Sequence, residues 1–348
     1  MFYLKYRPKN IDELDNAKVK EIITKILKAG SFPHAFLFVG QKGTGKTSTA
    51  RIFAKAINCL ENKFGKKDAE TIEPCNHCTN CLSIDHSNSV DVVEMDAASN
   101  RGIDEIKKLI HETNFLPMTC RYRVFIIDEA HMITPEAFNA LLKTLEEPPP
   151  AVIFIFATTN KDKLPKTIIS RCQIVNFGKA NKTDIIRMLN RLTQGENIKV
   201  DKKLLELIAE HSDNSFRDAA KILEELTIQQ KLDFEAGKKF LGLSKKNFLD
   251  VLNKKNVKDV LAWIEEFSQN NGNFKTLIEE TLNDLRILLL KNNGLVIEET
   301  PVTEFNQKEL VELIKLLTEA YQNLKITPIE SLPLEIAVLE FYNKKINS

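Results

Sequence analysis

Charge imbalance is missing from this 348-residue chain: 49 Lys and Arg oppose 48 Asp and Glu, for a net charge of +1. No global field draws it to nucleic acid, so any such contact must come from a local basic surface or an assembly of several copies. Long apolar runs are missing too. Val152 to Ala157 is among the longest, far short of the ~20 residues of a spanning helix, and no membrane partner is expected. The opening MFYLKYRPKN has no apolar core of the ~7–15 residues that a secretory leader uses, which favours a cytoplasmic location. Six cysteines without such a leader read as thiols or metal ligands and not as disulfides. Tandem repeats and low-complexity tails are also absent. What remains is an ordinary globular composition, 43% apolar, long enough for two or three domains.

One stretch carries chemistry. Ala35 to Val39 is a short apolar run of strand type, and Gly40 halts it. The octet Gly40, Gln41, Lys42, Gly43, Thr44, Gly45, Lys46, Thr47 then fits every fixed position of the phosphate loop GxxxxGK(S/T), and a helix follows from Ser48. Gly43 and Gly45 let successive N–H groups turn inward around an anion. Lys46 adds a point charge near the β and γ phosphates. Thr47 offers a hydroxyl to Mg²⁺, and the helix dipole points its positive end at the same anion. The chain is expected to bind ATP with Mg²⁺.

Ahead of the loop, a helix with Val19, Ile22, Ile23, Ile26 and Leu27 at helical spacing ends at Gly30. The segment before it, with Tyr6, Arg7 and Pro8, either covers an adenine base or forms a plain surface arm. Beyond the loop, Cys59 and the run CNHCTNC, with Cys75, Cys78 and Cys81, have the spacing of a closed tetrahedral thiolate site. Zinc suits it best, with an iron–sulfur cluster or free thiols as alternatives; His77 and His86 are substitute ligands. Cys120 and Cys172 lack such spacing.

Val90 to Met95 reads as a second strand, followed by a helix capped by Asp104 or Asn100. Val124 to Ile127 is a third, ending in Asp128, Glu129, Ala130, His131. An acidic pair at a buried strand end puts Asp128 beside Mg²⁺ and leaves Glu129 to polarise the attacking water. A fourth strand, Ala151 to Ala157, runs into Thr158, Thr159 and Asn160, which either hold that water or cap a loop. A fifth is Gln173 to Phe177. Alternating strands and helices imply a doubly covered parallel sheet with its ligand at the carboxyl strand ends. From Lys179 the pattern is helical: Asn181 to Leu192, Asp201 to His211 and Ser215 to Gln229, then a polar hinge near Leu243 to Lys246. Helices at Phe248–Phe267, Phe274–Lys291, Gln307–Asn323 and Leu332–Asn343 follow. The expected domains are 1–178 with a zinc module at 59–81, a small helical lid at 179–243, and an all-α collar at 244–348.

With KYRPKNIDEL, VGQKGTGKTSTARIFAKAINC, PCNHCTNC, MDAASNRGID, IIDEAHMITPEAFNALLKTLEEPP, FATTN, SRC and SFRDAA in this order, the chain resembles the bacterial clamp-loader ATPases of DNA polymerase III, γ/τ type, in the AAA+ superfamily. The four-cysteine insertion makes the resemblance specific. It implies an ATP-hydrolysing motor subunit, in a pentamer with δ- and δ′-type subunits, that loads a sliding clamp onto primer–template DNA. It implies that Arg171 is an arginine finger serving the neighbouring subunit, that Arg217 is the sensor 2 arginine, and that Thr158 and Thr159 form sensor 1. Asn214 stands where the family usually has Gly, and Asn tolerates the same left-handed backbone. The chain stops at what resembles the collar, as a γ-like form or a shortened τ would. Asn100, Arg101 and Lys143 are candidate DNA contacts. Rival readings are a silent ATP-binding scaffold, a helicase suggested by Asp-Glu-Ala-His, and a repair AAA+ factor.

Overall fold

In the computed structural model the described residues are 1–62, 64, 72–241, 248–254, 256–269, 272–294, 303, 305–324 and 326–346. They fall into two units, Met1–Asp233 and Phe234–Ser348. The hinge expected at Leu243 to Lys246 lies outside the described residues. The helices after Lys179 group with the sheet in the first unit as far as Asp233.

The first unit is built on five parallel strands, β1 Ala35–Gly40, β2 Val92–Asp96, β3 Arg123–Asp128, β4 Val152–Thr158 and β5 Gln173–Gly178, in the order β2-β3-β4-β1-β5. Strand β1 alternates between two apolar layers. Phe36 and Phe38 join Ile23, Phe53, Val124 and Ile155 on one face; Leu37 joins Phe125, Ile127, Phe138 and Phe156 on the other. A sheet buried on both faces needs near-continuous apolar strands, and β4 is buried at every residue. A short α1, Phe2–Lys5, opens the chain, and the covering helices are α2 Ala17–Lys28, α3 Lys46–Asn58, α4 Thr79–Asp85, α5 Ile103–Thr113, α6 Pro135–Glu146 and α7 Lys166–Ile169. After β5 come α8 Lys182–Gly195, α9 Lys202–Glu210 and α10 Phe216–Ile228.

Chain punctuation follows local chemistry. Gly30, with φ of 67°, ends α2, and the Ser215 hydroxyl accepts from Asp218 N at 3.2 Å to cap α10. Asn214 takes a φ of 55°, the left-handed backbone that its side chain tolerates. The cap of α5 differs from expectation. Gly102 holds that position with no side-chain bond; Asp104 lies inside the first turn, facing the helix dipole, and the Asn100 amide donates to Asp96 O.

The second unit is helical: α11 Phe234–Phe240, α12 Phe248–Lys254, α13 Val257–Gln269, α14 Phe274–Asn292, α15 Gln307–Asn323 and α16 Leu332–Ile346, around Leu252, Ile264, Ile278, Leu313 and Val338. The single helix expected over Phe248–Phe267 is two. Asn256 starts the second one, its side chain accepting from Asp259 N at 3.0 Å. No helix among the described residues is long and apolar enough to cross a membrane.

Candidate nucleotide-binding site

Three strand ends converge where β1 runs between β4 and β5. β1 delivers the loop Gln41–Gly45, β3 delivers Asp128 and Glu129, and β4 delivers Thr158 to Asn160. Gly43 and Gly45 have φ of 77° and 93°, a region in which most side chains are strained. Space matters as well: a Cβ on Gly43 would lie 2.0 Å from Ser215 Oγ, because α10 presses on the loop and Phe216 N donates to Gly43 O at 3.1 Å. Behind the loop, Lys46 Nζ donates to Gly40 O at 2.9 Å and Gln41 O at 2.8 Å. Gly40 and Gln41 therefore hold the lysine and do not line the cavity.

Asp128 accepts from the Thr47 hydroxyl at 2.6 Å through Oδ2 and from Glu129 N at 2.9 Å through Oδ1. Two hard oxygens this close are a donor set that fits Mg²⁺. Glu129 has a φ of 47°, a conformation that costs a non-glycine residue about 1–2 kcal/mol. Its Oε2 accepts from Thr159 Oγ1 at 3.4 Å and lies 3.4 Å from His131 Nδ1. Thr158 is fully buried, off the cavity wall, and meets the His131 ring and Asn160.

A cavity of about 170 Å³ lies over this floor. Lys42 to Thr49, Asp128 and Glu129 line its phosphate-loop side, and Tyr6, Arg7, Pro8 and Arg217 close it. Ser48 accepts from Arg7 Nε at 2.8 Å, which ties the N-terminal segment to the start of α3. Burial depresses the proton affinity of both Arg7 and Lys46, and in Arg7 the neighbouring Arg51 and Arg217 add to the effect. Partly dehydrated cations crowded around one cavity are relieved by an anion. Leu14, Val19, Met188, Leu192 and Phe216 belong to the apolar wall. Sequence reasoning assigned none of these five to the site, because apolar residues at helical spacing read as core. Tyr3, also on the wall, lies beneath the Arg217 guanidinium at 5.7 Å. Arg171 stands outside the cavity: its guanidinium pairs with Glu146 and donates to Thr167 O.

The cysteines of the insertion come together. Sγ atoms of Cys59, Cys75, Cys78 and Cys81 all lie within 4.8 Å of one another, with Cys75 and Cys81 at 4.0 Å. Tetrahedral zinc with Zn–S of about 2.3 Å spaces its sulfurs by ~3.8 Å. Backbone N–H groups of Cys75, Cys78 and Cys81 point at Sγ of Cys59, Cys75 and Cys78 at 3.3, 3.2 and 3.5 Å. Burial raises Cys75 and Cys81, whereas N–H donors from Leu60 and Cys81 bring Cys78 down to about 7 despite its burial. Cys59 also terminates α3, and the buried Lys55 of that helix bonds Asn76 at 2.7 Å and Asp85 at 2.8 Å. The insertion thus braces the far end of the phosphate-loop helix. His77 is exposed and faces Glu61 and the Cys75 carbonyl; Cys120 and Cys172 are outside the cluster.

Residues 15–181 match the family model described as DNA polymerase III, delta subunit. The DNA polymerase III subunit gamma of Buchnera aphidicola subsp. Baizongia pistaciae is 31% identical over 97% of this chain and 95% of its own length. The chain belongs to the DNA polymerase III gamma/tau family. Within that family, the DNA polymerase III subunit tau of Bacillus subtilis is 37% identical over 97% of this chain but 62% of its own length. The chain likewise spans 60% of the gamma/tau subunit of Mycoplasma genitalium. Among solved structures, the Thermotoga maritima RuvB Holliday junction branch migration motor has 16% identity and a TM-score of 0.49, covering 76% of this chain and 86% of its own.

Proposed function

We propose that this gamma/tau-family chain is an ATP-hydrolysing motor subunit of the DNA polymerase III clamp loader. The observation that carries the reading is the Thr47–Asp128 contact of 2.6 Å, set beside Lys46 and Glu129 on the floor of one cavity. The triphosphate enters with its phosphates in the Gly43–Thr47 loop and its base against Tyr6, Pro8, Met188 and Leu192. Mg²⁺, held by Thr47 and Asp128, would neutralise phosphate charge. Lys46 exchanges loop carbonyls for phosphate oxygens, and Arg7 and Arg217 add positive charge from the arm and α10. Glu129 accepts the proton of the attacking water, and Thr159 steadies its carboxylate.

Arg171 is poised to serve a neighbouring copy, since its guanidinium lies away from its own cavity and on the surface. A trans arginine of this kind is worth on the order of 10³–10⁵ in rate. Residues 179–233 act as a lid that carries Arg217 onto the nucleotide, and the second unit acts as an assembly collar. Four cysteines hold one structural zinc, leaving no open position for catalysis. The partners are δ- and δ′-type subunits, a sliding clamp and primer–template DNA, the last met by Asn100, Arg101 and Lys143, in the cytoplasm.

The test is MgATP turnover by the chain alone, then with partner subunits, clamp and primed DNA. Stimulation by the full mixture, abolished by Glu129→Gln, supports the reading. Equal turnover in Glu129→Gln and wild type points to a scaffold, and strand displacement without clamp loading points to a helicase. If charge reversal of Arg101 and Lys143 leaves DNA stimulation unchanged at low salt, those contacts are withdrawn.

A further inference from the structure

The ring of His131 lies between two groups that only one protonation pattern satisfies. Its Nδ1 is 3.1 Å from Thr158 Oγ1 and 3.4 Å from Glu129 Oε2. An ionised carboxylate only accepts hydrogen bonds. Thr158 Oγ1 donates its single proton to Asn160 O at 3.2 Å and accepts from Asn160 N at 3.1 Å, which leaves a lone pair for the ring. Both partners therefore call for a proton on Nδ1. A bare Nδ1 would set its lone pair against those of Glu129. The tautomer is assigned from these partners.

The surroundings fix the ring on both sides. His131 belongs to the short 3₁₀ turn Ala130–Met132, closed by Met132 N donating to Glu129 O at 2.8 Å. Its side chain is only 12% exposed. Thr158 is the last residue of β4 and pairs with Val39, one step before the phosphate loop. Glu129 needs such support, because its own left-handed backbone is strained and its contact with Thr159 is long.

We propose that His131 is a positioning residue: its Nδ1–H anchors the Glu129 carboxylate to Thr158 at the end of β4 and so aims it at the attacking water. The inference rests on the reading of Glu129 as general base. His131 does not line the cavity. Removing it loosens the base without altering the phosphate cradle. A misplacement of about 1 Å at such a group can cost on the order of 100-fold, and Thr159 remains as a second tether, so a loss of about tenfold in kcat is expected.

The experiment compares wild type, His131→Ala, His131→Asn and Glu129→Gln in the assembled complex with primed DNA. It measures kcat and KM for ATP, the affinity for MgATP at equilibrium, and the thermal midpoint. An asparagine amide nitrogen sits close to where Nδ1 was. The expected result is a tenfold lower kcat for His131→Ala at unchanged KM and affinity, with most of the loss recovered in His131→Asn. Unchanged kcat in His131→Ala overturns the inference. So does an equal loss in both His131 variants, which denies the Nδ1–H donor, and so does a fall in affinity and midpoint that accounts for the lost rate, which makes the role structural. If wild type turns over no faster than Glu129→Gln, the general-base reading itself fails and the inference falls with it; turnover that depends on Glu129 but not on His131 removes the inference alone.

Discussion

Gly43→Ala is the sharpest single perturbation of the loop, because two independent penalties act at one atom. The new Cβ would sit in a backbone with φ of 77° and 2.0 Å from Ser215 Oγ. The backbone penalty is about 1–2 kcal/mol. Relieving the contact requires the serine hydroxyl to rotate, which forfeits its bond to Asp218 N and with it about 1 kcal/mol of helix capping. The first unit should lose roughly 2–3 kcal/mol, less a few tenths for the stiffer unfolded chain. Ser215→Ala alone costs the cap, about 1 kcal/mol. In the double variant the cap is lost only once, so the two effects should fall short of additivity by about 1 kcal/mol. Amide hydrogen exchange in β1 and α10 reads this directly. The single tryptophan, Trp263, lies in the second unit and serves as a control whose fluorescence transition should not move. Additive losses, or a Gly43→Ala chain as stable as wild type, would refute the argument that α10 presses on the loop.

Three further outcomes follow from other parts of the molecule. Cys78→Ser should reduce zinc from one per chain to near none by elemental analysis and lower the melting temperature by more than ~5 °C, whereas a metal-free wild type removes the zinc proposal. Lys55→Met should cost the first unit about 1–3 kcal/mol in urea unfolding, since Asp85 and Asn76 lose their buried partner; no change would show that the brace is idle. Burial pushes Asp15 up to about 6 even though Arg191 grips it at 2.9 and 3.0 Å. The folded state then binds the proton more tightly than the unfolded one, so this carboxyl's contribution is full below about pH 4 and is lost as pH rises through 6. Relative to Asp15→Asn, wild type should lose at most about 3 kcal/mol between pH 4 and 7, and a constant gap across that range would contradict the assignment.

The parts of this molecule that were legible in the sequence are those whose chemistry is local. The loop Gly40–Thr47 needs glycines for its backbone and a Lys-Thr pair for its ligand, so its spelling and its shape coincide, and the five apolar strands were placed to within two residues. The cysteine cluster was legible for the same reason: close-set thiols with one distant partner have few other uses. What was not legible depends on distant segments. Met188 and Leu192 carry the same helical spacing as any core residue, and only the return of α8 over the N-terminal segment makes them a cavity wall. His131 was legible only as the end of the Asp-Glu-Ala-His run, since its bearing on Glu129 comes through Thr158, 27 positions away. The α5 cap was misassigned because Asn100 and Asp104, polar residues on either side of Gly102, could each have started a helix, and the backbone bond from Ile106 to Gly102 O decided it.

The measurement that bears most directly on the central claim is calorimetric titration of the full chain with MgATP, beside Lys46→Ala. One site per chain is predicted, with binding weakened at least about thirtyfold in the variant, because a charged hydrogen bond worth ~2 kcal/mol or more is removed from the phosphate cradle. Identical affinity in the two chains, or no binding by wild type, would contradict it.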